Sequence, residues 1–311
     1  MNRQIVIFFL IIIGLTGAVL DALAQQRPVQ SLYMFDLLLV NPAYAGRDVQ
    51  VSATAINRNQ WVNFEGAPKT STLSVHSSFF SNIVGVGLLV TNDNIGIHND
   101  FSAYGIYSYR LRLARNHYLS TGVQGGFNNL VSDFDLLNNK SPDANLSGTN
   151  TVIKPNVGVG FYYTFKDLYA GISAPYLINN EVIDLENVTT TVKQRRYYYI
   201  MGGYSYDVSP VVRVKPNALI RMQEGSALSI DLNTNVFLYQ VVGLGLSYRS
   251  VEGFVAMFEL KFTDNFHFGY AYDITTSDIR KYSNGSHEFM LNYRFKIRKA
   301  HEGVPCPTYF K

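Results

Sequence analysis

Ser286 to Arg298 reads S-H-E-F-M-L-N-Y-R-F-K-I-R. Phe289, Leu291, Tyr293, Phe295 and Ile297 are apolar; Glu288, Met290, Asn292, Arg294, Lys296 and Arg298 alternate with them and are polar except for Met290. Successive side chains of a β-strand point to opposite faces, so this stretch has an oily face and a wet face. A soluble sandwich strand would read the same way, and repetition decides between the two. About 14 such stretches occur, each near the ~9–11 residues that a tilted strand needs to cross a bilayer. They fall at 49–57, 70–78, 83–92, 101–113, 117–128, 153–165, 167–175, 196–206, 211–222, 226–236, 239–249, 253–262, 265–273 and 286–298. This predicts an all-β protein, a transmembrane antiparallel up-and-down β-barrel, lipid outside and polar inside.

The connections test this independently. Every second link is short: Ser78–Asn82, Ala114–Asn116, Lys166, Asp207–Pro210, Phe237–Leu238 and Thr263–Asp264. Four of the others, Arg58–Lys69, Asn129–Val152, Tyr176–Arg195 and Ile274–Gly285, are long and polar. Two outer links, Gln223–Gly225 and Ser250–Glu252, are short. Outer-membrane barrels have short periplasmic turns and longer outer loops, and an even strand number leaves both termini in the periplasm.

The strand faces separate cleanly. Val86, Leu88, Tyr107, Tyr109, Leu232, Leu244, Leu246, Phe254, Phe268 and Tyr270 fall on the outward parity. Arg110, Arg112, Arg213, Lys215, Arg221, Asp231, Asn233, Arg249, Glu259, Lys261, Glu288, Arg294 and Lys296 fall on the other. An unpaired charge on the lipid face near the midplane costs about 2–4 kcal/mol, which assigns these groups to the lumen. Glycines recur on the inward parity at Gly85, Gly87, Gly122, Gly126, Gly158, Gly160, Gly243 and Gly245. Strand glycines let a wall bend or let another backbone lie close, and the N-terminal segment is the candidate for that backbone.

The chain opens as a secretory precursor. Arg3 forms a positive n-region, Ile5 to Leu20 is apolar, and Ala22-Leu23-Ala24 is a small-x-small cleavage site, which predicts a leader over 1–24. Residues 25–48 are expected to form an N-terminal periplasmic or plug segment, 49–298 the barrel, and 299–311 a periplasmic tail. Leu32 to Val40 can make one or two helical turns, which Pro42 ends by pushing Asn41 out of the helical region. Asn41-Pro42-Ala43-Tyr44-Ala45-Gly46 then reads as a turn into the first strand. Two readings stand: a tether with a turn, or a segment packed into the periplasmic mouth or lumen. The single Cys306 is a free thiol or an intermolecular partner. A net charge of +3 gives no sign of a nucleic-acid partner.

Catalytic patterns are missing from the sequence. The six His residues are scattered, with no metal-ligand spacing and no G-x-S-x-G elbow. Ser74 and His76, on one strand face, are the nearest approach to a catalytic pair. Asp133-x-Asp135 begins like a calcium loop, but Leu137 and the missing glycine break the pattern. No catalytic, cofactor or metal residue is expected.

A more specific signal lies between residues 41 and 96. Asn41-Pro42-Ala43-Tyr44-Ala45-Gly46 is followed by Arg58-x-Gln60-Trp61, Gly66-Ala67-Pro68-x-Thr70, Gly85-x-Gly87 and Asn92-Asp93-x-Ile95-Gly96. This order, with the Cys306-Pro307 tail, resembles the PorP/SprF family of outer-membrane proteins of the type IX secretion system. The resemblance implies a non-enzymatic barrel in the outer membrane of a Gram-negative bacterium. It would assist export or surface retention of adhesin-like proteins bearing a C-terminal sorting domain, and in some members gliding motility. Its implied partners are the periplasmic ring and lipoprotein components, the exported protein and outer-membrane lipid. Candidate partner contacts are Asn41, Pro42, Tyr44, Gly46, Arg58, Trp61, Gly66, Pro68, Asn92, Asp93 and Cys306. Trp61 reads either as an interface-belt anchor or as part of a rigid outer loop with Asn63, Phe64 and Gly66-Ala67-Pro68. Asn92-Asp93-x-Ile95-Gly96 reads as an outer turn. The competing function is a passive porin or hydrophobic-solute channel.

Overall fold

The computed structural model describes residues 30–47, 51–136, 148–179, 181–183, 192–193, 196–224 and 226–295. Fourteen strands form one closed antiparallel barrel. They are β1 (Val51–Asn59), β2 (Lys69–Phe79), β3 (Val84–Ile95), β4 (His98–Ala114), β5 (His117–Asp133), β6 (Thr149–Phe165) and β7 (Leu168–Tyr176). Next comes β8 (Tyr197–Tyr204, continued by Tyr206–Ser209 after a break at Ser205), then β9 (Val212–Gln223), β10 (Ser229–Leu238), β11 (Val242–Arg249), β12 (Gly253–Lys261), β13 (Phe266–Thr275) and β14 (Ser286–Phe295). Both parts of β8 pair with β9, so they count as one strand. Each strand pairs with its sequence neighbours, and β1 closes on β14 from Val51↔Phe295 to Asn59↔His287. A two-stranded ribbon, Glu181–Ile183 with Val192–Lys193, lies in the link after β7.

One end of the barrel carries tight turns. Asn116, Lys166, Tyr239 and Gln240 hold φ between 51° and 64° there. Such φ values suit hairpin turns whose twist matches that of the flanking strands. The turn after β10 sits at Tyr239–Gln240, two residues later than the expected Phe237–Leu238. The larger correction is at the other end. The expected loop over Asn129–Val152 begins and ends as strand, because β5 and β6 pair out to Asp133↔Thr149. Near their tips both faces of the hairpin meet polar surroundings, so the oily alternation that marks a spanning strand fades while the backbone ladder continues.

The faces follow the predicted parity. Leu232, Leu244, Leu246 and Phe254 are exposed on the outside, while Lys215, Arg221, Asp231, Arg249, Glu259, Glu288 and Arg294 are buried in the lumen. The main hydrophobic cluster is inside the barrel, and Leu32, Tyr33, Met34, Phe35, Leu37, Leu38 and Val40 supply much of it. No described helix is long and apolar enough to cross a membrane, which says nothing about strands.

Candidate functional site

Residues 30–47 cross the lumen. Three short 3-10 turns, Tyr33–Phe35, Leu37–Leu39 and Pro42–Tyr44, compact the segment, and every residue in it is buried except the half-buried Leu39. The expected turns over 32–40 form as two of these, and the segment lies in the lumen rather than along a tether. Asn41 directs the lower part: its Oδ1 accepts from Ala43 N at 2.9 Å, capping the turn, and its Nδ2 donates to the Phe161 carbonyl at 3.0 Å. Tyr44 stands edge-on between His76 and Tyr162, with ring centroids 5.6 and 5.8 Å away. Ser173 Oγ donates to the Val40 carbonyl at 2.5 Å, Ser108 Oγ to the Ala45 carbonyl at 2.7 Å, and Arg110 Nη2 to the Gly46 carbonyl at 2.9 Å.

Three of the inward glycines form a slot for this segment. A Cβ on Gly85 would stand 2.1 Å from the Ala45 carbonyl oxygen, one on Gly122 2.3 Å from Ala43 N, and one on Gly160 2.1 Å from Asn41 Oδ1. Gly87 meets Leu38 at an ordinary 3.4 Å. Gly126, Gly158, Gly243 and Gly245 instead make room for neighbouring strands. Gly46 keeps a φ of +66° and packs against Gly85.

The other end of the segment is held in a charged cage below the long loops. The Glu288 carboxylate accepts from Ser31 N at 2.7 Å, Leu32 N at 2.8 Å and Arg58 Nη1 at 3.0 Å. Arg58 Nη2 lies 2.5 Å from Asp273, and Ser31 Oγ donates to Asp273 at 2.8 Å while accepting from Arg58 at 2.7 Å. Arg249 bridges Asp231 at 3.1 Å and Glu252 at 2.5 Å, and Arg221 reaches Asp231 and Glu252, each at 3.5 Å. Glu252 sits in the outer turn between β11 and β12. Burial acts to raise its carboxyl pKa, but Arg249, Arg221 and Arg58 together outweigh this and hold it at about 2. Mid-lumen, Tyr33 OH accepts from Asn233 Nδ2 at 2.6 Å and Asp36 accepts from Ser74 Oγ.

The first outer loop forms a second element. Trp61 and Asn63 hold φ of 47° and 73°, and Trp61 packs edge-on against Phe64. Trp61 N donates to Ser286 Oγ, Val62 N to the Gly285 carbonyl and Gly96 N to the Gly66 carbonyl, tying the loop to both neighbours. Gln60 N donates to the Pro68 carbonyl at 2.9 Å, closing the loop at its base. Together with Asn94 and Gly96 it walls an open cavity of about 680 Å³.

The sequence-predicted contacts therefore divide. Asn41, Pro42, Tyr44 and Gly46 are in the lumen, Arg58 is in the cage, and Trp61, Gly66 and Pro68 are in the outer loop. Asn92 and Asp93 are not in a turn, as expected, but inside β3, and the turn is Gly96–Ile97. Asp93 is buried and accepts from Thr70 Oγ1 at 2.7 Å. Cys306, the leader and the tail lie outside the described residues. Ser31, Asp273 and Glu252 were missed. Asp273 shares the inward parity of His267, which could have revealed it. Ser74 and His76 share the inner face, but Ser74 donates to Asp36 and both are buried beneath the segment. Asp135 Oδ1 accepts from Gly148 N at 2.7 Å, so this acidic pair shapes a loop. Among the described residues no group of three or more His, Cys, Asp or Glu could hold a metal ion.

The model of the family described as type IX secretion system membrane protein PorP/SprF matches residues 22–293. Among solved structures, the chain is similar to the CymD monoaromatic hydrocarbon channel, at 11% identity over 88% of this chain and 94% of that one, with a TM-score of 0.52. It is also similar to the outer membrane protein Omp33 of Acinetobacter baumannii, at 10% identity over 79% of this chain and 99% of that one, with a TM-score of 0.45. At such identities the likeness to solved structures bears on the fold alone. No curated protein sequence matches.

Proposed function

Because this chain belongs to the PorP/SprF family of type IX secretion system membrane proteins, we propose that it is a non-enzymatic outer-membrane accessory that holds exported proteins at its outer loops. Its cargo would be adhesin-like proteins with a C-terminal sorting domain. The periplasmic ring and lipoprotein components would engage its short-turn end, with the tail carrying Cys306 on the same side. The observation that carries this reading is the segment 30–47, which crosses the lumen and bonds to the wall at both ends. A passive channel needs a continuous water path. Here packed Leu, Tyr, Met and Phe side chains of the segment occupy the lumen, which supports the outer loops as the working surface.

Affinity purification from the native membrane tests the proposal. Type IX components and sorting-domain proteins are expected to co-purify with the intact barrel. Trp61→Ala combined with Phe64→Ala is expected to reduce cargo recovery severalfold while leaving the ring components. Recovery of the barrel alone would contradict the proposal.

A further inference from the structure

The outward faces of β1, β2 and β3 are in register and change chemistry in steps. Leu73 stands between Ala55 and Val90, Ser71 between Asn57 and Asn92, and Lys69 between Asn59 and Asn94. The middle row continues to Phe289 on β14 and to Phe101 on β4. Outer-membrane barrels carry a girdle of aromatic residues at each interface. Between those two phenylalanines the girdle gives way to two amides and a hydroxyl. The two lower rows line a shallow groove of about 470 Å³ on the outer surface, bordered by Phe289 and Leu291.

The short-turn end of β2 is Phe79, and the chain climbs from there through Leu73 and Ser71 to Lys69. At ~3.3 Å per residue and ~40° tilt, Ser71 stands about 20 Å and Lys69 about 25 Å above that end, against an apolar band about 25 Å tall. The amide row therefore lies just inside the band and Lys69 at its outer rim. Asn59 Nδ2 donates to Asn57 Oδ1 at 3.3 Å, and Asn57 Nδ2 donates to Ser71 Oγ at 2.9 Å, which leaves the Ser71 hydroxyl hydrogen to be given away. Among the described residues, the Asn92 side chain and Lys69 Nζ have no hydrogen-bond or ion-pair partner. An amide without a partner in apolar surroundings costs free energy, so this row suits a ligand that brings both a donor and an acceptor.

We propose that the outward face of β1–β3 binds one molecule of a phosphorylated glycolipid of the outer leaflet with amide-linked hydroxyacyl chains, the chemistry of lipid A. One acyl chain fills the groove over Ala55, Leu73 and Val90, its amide and hydroxyl meet Ser71 and Asn92, and a phosphate meets Lys69. Apolar, hydroxyl and cation follow one another up β2 in the order of chain, linkage and phosphate along such a lipid. A glycerophospholipid brings esters to the middle row; these accept hydrogen bonds and donate none, so the Asn92 side-chain carbonyl goes unmatched. The site rests on the outer-membrane placement of the barrel and not on its cargo.

The probe is lipid A, added to the intact protein in detergent and read by native mass spectrometry. A single saturating adduct per barrel is expected, with phosphatidylglycerol of matched chain length binding at least tenfold more weakly. Ser71→Leu combined with Asn92→Leu keeps the face apolar and strand-forming, so the folded, heat-modifiable form is expected to be retained while lipid A binding falls at least tenfold. Lys69→Gln is expected to lower binding severalfold, and dephosphorylated lipid A is expected to bind wild type and Lys69→Gln equally. Thr234→Leu, on the outward face of β10 across the barrel, is expected to change nothing. No saturable adduct, equal binding of phosphatidylglycerol, wild-type affinity in the double variant, or an equal loss in Thr234→Leu would overturn the proposal. If the double variant does not fold, Lys69→Gln and the two lipids decide in its place. Cargo recovery by a barrel that takes up no lipid A removes the site and leaves the accessory role. A lipid A adduct on a barrel that captures no cargo does the reverse.

Discussion

Arg58→Ala is expected to destabilise the barrel by about 3–5 kcal/mol, the cost of leaving a buried ionic partner uncompensated. Arg58 is 1% exposed and its guanidinium joins Glu288, Asp273 and Ser31. Removing it leaves two carboxylates facing each other across Ser31 without their shared cation. Arg58→Lys retains the charge but loses the planar fork that reaches both carboxylates at once, so it is expected to recover only part of the loss. Denaturant unfolding in lipid or detergent, read by heat-modifiable gel mobility, measures the difference. Arg58→Ala with unchanged stability would mean that the cage contributes little.

Gly122→Val is expected to displace residues 41–46 from the wall. Even the first added carbon would stand 2.3–2.5 Å from Ala43 N, the Pro42 carbonyl carbon and Ala43 Cα, all of them backbone. No side chain can rotate away, so one of the two chains must move. Overpacking that shifts backbone costs about 1–3 kcal/mol or more. In a Cys306→Ser background, Ala43→Cys is expected to be inert to maleimide with Gly122 present, because Ala43 has no exposed surface. It is expected to label readily once valine replaces the glycine. Equal protection in both would show that the slot is looser than its geometry implies.

These two residues also mark where the sequence could and could not be read. Strand parity gave the barrel, its faces and its strand number, because a side chain in lipid tolerates little polarity. Gly122 was legible as a place of close approach, since a glycine on the crowded face of a strand needs a reason. Arg58 was legible only as part of a motif. The sequence pattern ends the first strand at Asn57, one residue before Arg58, whereas β1 runs to Asn59 and gives Arg58 the inward parity of Ser52, Thr54 and Ile56. Ser31 carried no signal at all: its role comes from a backbone N–H and a hydroxyl meeting carboxylates about 240 and 260 residues away, a pairing set by tertiary structure. The height of the β5–β6 hairpin escaped for the opposite reason. Beyond the membrane the pressure to alternate disappears, and Asn129 to Asp133 looks like loop although its backbone is fully laddered.

Single-channel recording in planar bilayers tests the account most directly. The intact protein is expected to show no steady conductance, and a variant lacking residues 30–46 is expected to show a large, ohmic one, since removing the segment takes its packed side chains out of the lumen. A large steady conductance from the intact protein, no greater after the deletion, would contradict the claim that this barrel is closed by its own N-terminal segment.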